Sequence, residues 1–566
     1  MAATNSDIRS RMAVLCHAGV IVEKKLGPIL GSYLDQLVHT YMPRVGPPRR
    51  CKIYKSAQRQ PNGVEIITLP REAIAKIQEK GYEVQIRLPP IRFFGNRITE
   101  AHAPPFPAID FLYDDQQVII NHIHTQWRDL NSYGSACLNL RAGYGKTFIA
   151  AGVIALLRMR TLYIVPTCEL AKQVQHDLQA SLGTLSDEGS REAAQSIRIV
   201  IHYVSSGEEF RKVAESENNS LVCIAVINTV IGATWTELTP ATCLANYFSL
   251  IIFDEVHTYC SPKRINIFWM AQTRYMFGMS ATIGERRDGF DFALGHHLPP
   301  LIDAEHIEGF TYGAASPFQC RVRAVRYFAR DEDAQNLRHE TTDRVFAHYM
   351  YEQFAHDERR NALIVSQARE LVVAGHNVFI FAEERAHVEL LAGLLAADET
   401  TRQYPSVIFY GGVSDEDRRI AIARDEPSTD GTTAPAHPPA RIIIATYSYS
   451  GTGISIIRMT ALILATPRYS GMKQIVGRIL RRGSDPTIQR IVIDVIDQKT
   501  CLAYQFRLRR NAYNFYGATY EKITVRAEPL QTQGAQPCVA STDAQPLQTQ
   551  GALPPGESAS SSAGPQ

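Results

Sequence analysis

The residues best suited to chemistry begin with the stretch Leu138 to Ile149, LNLRAGYGKTFI, in which a short apolar run enters a glycine-bearing loop and an apolar helix leaves it. Gly143 and Gly145 let the backbone come close to an anion, and the N–H groups at the start of the helix point at it. Lys146 has the reach to meet the β- and γ-phosphates of a nucleotide, and the Thr147 hydroxyl can hold Mg²⁺. Leu140 stands where the strict pattern GxxxxGK[ST] has its first glycine, so the loop needs company to be read as a nucleotide site. That company starts with Asp254 and Glu255, which follow the apolar run Ser249 to Phe253 directly. Two adjacent carboxylates at the end of a buried strand are costly unless a cation compensates them. Asp254 is placed to coordinate Mg²⁺, and Glu255 to orient and deprotonate a water. Further on, QIVGRILR puts Gln474, Arg478 and Arg481 at helical spacing, with two guanidinium groups on one face for the charge of a transferring phosphoryl.

These groups need a scaffold. From about 111 to 295 apolar strands and helices alternate, with strands expected at Cys137–Leu140, Thr161–Val165, Arg198–Tyr203, Cys223–Ile227, Ser249–Phe253 and Tyr275–Met279. Several are continuous apolar runs, the pattern of a parallel sheet covered on both faces. A less regular connector from 296 to about 345 holds one strand-like run, Cys320–Phe328, and a second block follows, with strands expected at Asn377–Ala382, Ser406–Tyr410, Arg441–Thr446, Ala461–Ala465 and Arg490–Ile496. In such sheets ligands sit at the carboxyl ends of the strands, where the loop and the acids fall. The first hundred residues read as a small α+β unit. It has helical apolar spacing at Met12, Val14, Leu15, Val20 and Ile21 and again at Ile29, Leu30, Leu34 and Leu37. A basic, proline-rich loop follows, with Arg44, Arg49, Arg50, Lys52 and Lys55. Strands are expected at Val64–Leu69 and Val84–Leu88 and a helix at Arg71–Lys80, before the proline cluster of His102–Phe111. Residues 425–440 read as a polar insertion in a surface loop, and beyond 526 the chain is rich in Gln, Pro, Ser, Ala and Gly and repeats PLQTQGA, as a disordered tail does.

Composition narrows the class. With 566 residues, 45% of them apolar and 20% charged, the chain is a multidomain globular protein. No apolar run reaches the length of a membrane span, and the N-terminus lacks a secretory pattern. Ten cysteines without a CxxC pair argue for free thiols and against a zinc module. The expectation is an intracellular, non-secreted protein. A net charge of +2 neither requires nor excludes nucleic acid.

The ordered set of motifs between about 111 and 526 resembles the superfamily 2 helicases and translocases. FLYDDQQ resembles the family's upstream glutamine motif, with Gln116 the matching residue, and GYGKT is similar to motif I. VPTCELAKQ is similar to motif Ia, Val226–Thr229 to motif Ib, DEVH to motif II and SAT (Ser280–Thr282) to motif III. Phe379–Ala382 resembles motif IV, TYSYSGTGIS motif V, and QIVGRILR motif VI. DEVH and the Gln-led motif VI resemble the DExH-type enzymes. SAT followed by RRDGFD resembles helicases of large DNA viruses, which would put the protein in a host nucleus or cytoplasm. Cys168 replaces the arginine of the DEAD-box motif Ia, and Ser455 the more usual aspartate of motif V.

The resemblance implies two tandem RecA-like, doubly wound α/β domains with ATP and Mg²⁺ between them. The chain would divide into an N-terminal accessory domain (1–105), RecA-like domain 1 (106–298), a connector (299–345), RecA-like domain 2 (346–526) and the tail (527–566). Lys146, Asp254, Glu255, Gln474, Arg478 and Arg481 would carry catalysis. Gln116, Gly143, Gly145, Lys146, Thr147 and Gly453 would hold the nucleotide, and Thr147 and Asp254 the metal. His257, Ser280, Thr282 and Gln474 would couple hydrolysis to the strand, which Thr167, Thr229 and Thr446 would contact. The implied activity is ATP-dependent unwinding of nucleic acid, DNA favoured over RNA, gripped mainly by its phosphate backbone and away from membranes. Two rivals stand beside it. One is a double-strand translocase that moves without separating strands, and the other is a RecA-like scaffold that binds without hydrolysis.

Overall fold

In the computed structural model, the described residues run from 13 to 526, apart from 95–110, 186–196, 234–242, 330–346, 411–439, 448–455 and shorter breaks. Gly453, Ser455, most of the polar insertion, most of the proline cluster and the tail lie outside them.

Two seven-stranded sheets, every neighbouring pair parallel, organise the chain. The first contains β1 (Gly134–Asn139), β2 (Thr161–Val165), β3 (Val200–Val204), β4 (Leu221–Val226), β5 (Leu250–Phe253), β6 (Tyr275–Ser280) and β7 (Leu301–Asp303). Their spatial order is β3-β4-β2-β5-β6-β1-β7. The second contains β8 (Cys320–Phe328), β9 (Val378–Ala382), β10 (Ser406–Phe409), β11 (Ile442–Thr446), β12 (Ala461–Leu464), β13 (Arg490–Asp497) and β14 (Thr519–Arg526), in the order β10-β11-β9-β12-β13-β8-β14. Counted from its own first strand, each sheet has the same order, so the two are RecA-like domains of one topology. The central strands β2, β4, β5 and β6 are buried along their whole length, as continuous apolar runs require. Two strands were not legible in advance, β7 at only three residues and β14, whose exposure alternates at the sheet edge. β8 is the strand expected at Cys320–Phe328 within the connector, and it joins the second sheet between β13 and the edge strand β14.

The N-terminal region differs from expectation in two places. Ala13–Cys16 and Gly19–Glu23 form a β-hairpin, not a helix, because Gly19 turns the chain at φ +122° and both strands are buried on both faces. The basic loop is instead two strands, with Arg49–Lys52 pairing with Val38–Tyr41 and Lys55–Arg59 with Glu65–Leu69. Exposed charges at edge strands broke the apolar signature that sequence reading relies on. The five-stranded mixed sheet here shares one continuous apolar core with the first RecA-like domain. Arg71 donates to the carbonyls of Gly134, Thr273 and Arg274, and Arg274 donates to those of Pro89 and Leu88. These partners lie at the amino ends of β1 and β6, so this face of the region is fused to the end of the sheet opposite the expected site.

Candidate active site

The phosphate loop follows β1. Gly143 and Gly145 both adopt left-handed conformations (φ +82° and +79°), which glycine tolerates and which let the loop curl before helix α1 (Lys146–Leu157). A Cβ at Gly145 would lie 2.5 Å from the Gln116 amide nitrogen. Gln116 is buried, accepts from the Tyr113 N–H (3.1 Å) and donates to the Tyr144 carbonyl (2.9 Å), so it braces the loop from behind. Thr147 is half-buried in the first turn of α1.

β5 delivers Asp254 and Glu255 to the same edge. Lys146 Nζ sits 2.8 Å from Glu255 Oε1, and Tyr163, from the adjacent β2, donates to Asp254 Oδ2 at 3.1 Å. Burial first, and the neighbouring Glu255 second, push the Asp254 carboxyl up to about 6, against the pull of Lys146. Burial works the same way on Glu255, but Lys146, His257 and Arg478 overcome it and hold that carboxyl below its ordinary value. Glu255 is also strained, with φ +46° where only glycine is at ease. Its Oε2 is buried and makes no hydrogen bond among the described residues; His257 Nδ1 lies 3.5 Å away.

His257 Nδ1 lies 2.7 Å from Ser280 Oγ at the end of β6, and Ser280 Oγ also accepts the Thr282 N–H at 3.2 Å. Burial keeps the His257 ring below its usual pKa. Thr282 Oγ1 in turn accepts from Gln474 Nε2 of the second half, at 3.5 Å. The helix carrying Gln474, α2 (Met472–Gly477), is shorter than its sequence suggested. It stops at Gly477, where a side chain would meet the Tyr516 hydroxyl at 2.9 Å and Ala142 Cβ at 3.1 Å. Arg478 caps the helix, and Arg481 lies three residues further on, beyond the turn that follows. Burial lowers their guanidinium pKa values, to about 9 and about 10, while the Glu255 charge acts on both in the opposite sense. Arg481 Cγ is 3.8 Å from where a Gly143 side chain would begin, so the second half touches the phosphate loop itself.

The structure thus gathers Lys146, Thr147, Asp254, Glu255, His257, Ser280, Thr282, Gln474, Arg478 and Arg481 around one cleft. Thr167 follows β2, half-buried Thr229 sits in the helix after β4, and buried Thr446 ends β11, all at the carboxyl edges of their sheets. Sequence reading missed Tyr163, whose role depends on β2 lying beside β5, a pairing no local pattern announces. It also missed Arg286, whose guanidinium donates to the His257 carbonyl at 3.3 Å.

Comparison with known proteins bears on the class of the chain. The family described as "Type III restriction enzyme, res subunit" matches residues 111–285, the segment from the glutamine motif to just past SAT. The chain is 29% identical over 443 residues to the putative ATP-dependent RNA helicase QP509L of African swine fever virus (strain Badajoz 1971 Vero-adapted), covering 75% of this chain and 77% of the relative. It is 22% identical over 410 residues to the putative ATP-dependent RNA helicase L396 of Acanthamoeba polyphaga mimivirus, covering 69% and 66%. By these matches the chain resembles the superfamily 2 helicases, and it is an ATP-hydrolysing enzyme. Within that superfamily it resembles the helicases of large DNA viruses. No helix among the described residues is long and apolar enough to cross a membrane.

Proposed function

We propose that ATP binds between the two halves, with its phosphates on the Gly143–Thr147 loop, and that its hydrolysis moves the protein along nucleic acid and separates strands. The observation that carries this reading is the meeting of charges from both halves at Glu255, which pairs with Lys146 at 2.8 Å and feels Arg478 and Arg481. Lys146 exchanges Glu255 for the nucleotide's phosphates, which frees the carboxylate to take a proton from water at its buried Oε2. The arginines, brought by the second half, oppose the charge that builds on the phosphoryl group.

Mg²⁺ fits the donor set. Asp254 is a buried carboxylate raised by its neighbour, as expected of a group that a cation would relieve, and the Thr147 hydroxyl is the second protein oxygen. When bound, the metal would draw charge from the phosphates. The protein's part is to hold Asp254 in place through Tyr163.

The line from Glu255 through His257, Ser280 and Thr282 to Gln474 crosses between the halves and couples closure to the bound strand. Thr167, Thr229 and Thr446, on the edges where the two sheets present their loops, serve as backbone contacts that read no sequence. The strand favoured is DNA, on the resemblance of the SAT–RRDGFD segment to DNA-virus helicases. RNA is the second reading, because the names of QP509L and L396 both specify RNA.

Measuring ATP turnover with single- and double-stranded DNA and RNA tests all of this at once. Stimulation by single strands, lost in Lys146→Ala, is the expected result. Stimulation by no nucleic acid would end the helicase reading, and stimulation by duplex DNA without strand displacement would leave the translocase.

A further inference from the structure

The side chains of two phosphate-loop residues, Arg141 and Tyr144, are not among the groups assigned to the nucleotide above, yet both are tightly engaged. The Arg141 guanidinium lies 4.0 Å from the centroid of the Tyr312 ring and 4.2 Å from that of Phe515. It pairs with Glu305 Oε1 at 2.7 Å, and its backbone N–H donates to the Tyr312 hydroxyl at 3.2 Å. Tyr144 packs edge-on to Tyr312, with ring centroids 4.8 Å apart. Tyr312 and Glu305 belong to the segment after β7, but Phe515 ends helix Gln505–Phe515 of the second half. The Phe515 ring also has the Lys473 ammonium 4.4 Å from its centroid, and Lys473 is the second residue of α2, beside Gln474. The next residue, Tyr516, donates to the Lys473 carbonyl at 2.8 Å.

We propose that Arg141 and Phe515 form a positioning clamp that keys the phosphate loop of the first half to the helix bearing Gln474, Arg478 and Arg481. A planar guanidinium over two aromatic rings, with its own ion pair to Glu305, is held more specifically than a lone point charge would be. One of these rings, Phe515, travels with the second half, and the same ring meets Lys473 at the base of α2. The contact therefore forms only when the arginines are in register with the loop. A cation on that ring from each half makes Phe515 the joint. This inference rests on the placement of Arg478 and Arg481 in hydrolysis proposed above.

The test is ATP turnover by the full chain with a dT 40-mer, or a U 40-mer if RNA is what stimulates the wild type. Arg141→Met is expected to lower kcat about 10-fold, the size of one or two cation–aromatic contacts, with KM for ATP within about 3-fold and the melting temperature unchanged. Arg141→Lys should recover part of the loss, because a cation returns to the rings without the planar guanidinium. Phe515→Leu should match Arg141→Met, and the double variant should be no slower than the slower single one. An unaltered kcat in Arg141→Met, or a double variant whose loss is the product of the two single losses, overturns the clamp. Lys146→Ala in the same assay reports on the hydrolysis reading separately: a dead Lys146→Ala beside multiplicative clamp losses removes the clamp alone.

Discussion

Both halves thread seven parallel strands in one spatial order, but the carboxyl ends of corresponding strands carry different loads. The fifth strand of the first half, β5, ends in Asp254 and Glu255. Its counterpart β12 is followed by Ala465 and Thr466, whose carbonyls accept from Arg360 (2.5 Å) and from the Tyr447 hydroxyl (2.6 Å). The sixth strand of the first half, β6, ends in Ser280, bonded to His257. Its counterpart β13 carries Asp494 and Asp497, each locked in a fully buried ion pair. Arg509 holds Asp494 at 2.7 Å with help from the Tyr513 hydroxyl, and Arg360 holds Asp497 at 2.6 Å. The second half has neutralised its buried acids within itself. The first has left Asp254 raised and Glu255 strained at φ +46°, a local cost that a cation and a nucleotide are suited to relieve. One scaffold serves both, and the state of its buried charge separates the half proposed to hydrolyse from the half that braces.

The sharpest way to break this contrast is to neutralise the first half as well. Glu255→Gln is expected to cut nucleic-acid-stimulated turnover by about 10³-fold or more while nucleotide still binds, measured by phosphate release beside equilibrium binding. Turnover at the wild-type rate would take Glu255 out of water activation. Arg481→Ala should cost on the order of 10³-fold in kcat, the lower end for an arginine finger, with little change in melting temperature. If Arg478→Ala is the slower of the two, the finger is Arg478 and the contact with Gly143 has misled. Breaking a pair in the second half should do the opposite. Arg509→Leu strands a buried Asp494 and is expected to remove about 3–5 kcal/mol of stability in urea unfolding. The folded fraction should keep the wild-type KM for ATP; a raised KM with full stability would mean that β13 belongs to the site.

Much of this was open to sequence reading because it is local. The phosphate loop, DEVH, SAT and the fully buried strands each write their signature in a few consecutive residues, and β2 at Thr161–Val165 matches its expected range end to end. What was hidden depends on partners distant in the chain. Ala13–Glu23 has the apolar content of either a helix or a hairpin, and only its burial on both faces against the first domain decides. Arg141 reads as an ordinary loop cation until Phe515 is found beside it. The burial of Arg360, Arg509 and Asp494 depends on partners far apart in the chain, so no local pattern announces it. The arginine helix is shorter than its spacing suggests, ending at Gly477, and the Tyr516 hydroxyl that leaves no room for a side chain there comes from outside the motif.

A smaller effect should fall on both halves alike, which makes it a control for the contrast. Each carries a buried histidine kept neutral. His297 is fully buried against Phe268 and Trp269, and neither ring nitrogen has a hydrogen-bond partner among the described residues. Burial, with the nearby His296 and Lys55 charges, takes its pKa down to about 3. His387 bonds Asn361 Oδ1 at 2.8 Å, and burial beside Arg360 takes it to about 3 as well. In the unfolded chain both rings titrate near their ordinary value of about 6.5. The folded values lie below the unfolded ones, so the unfolded state binds more protons as pH falls. The stability is whole above about 6.5 and is lost progressively between there and about 3. At pH 5 each site should cost about 2 kcal/mol. Urea unfolding followed from pH 7.5 to 5 should show the loss, and His297→Phe should remove one share of the slope and leave that of His387. Should the slope stay the same in His297→Phe, the ring takes its proton in the folded state, and the apolar packing against Phe268 and Trp269 is not what holds it neutral.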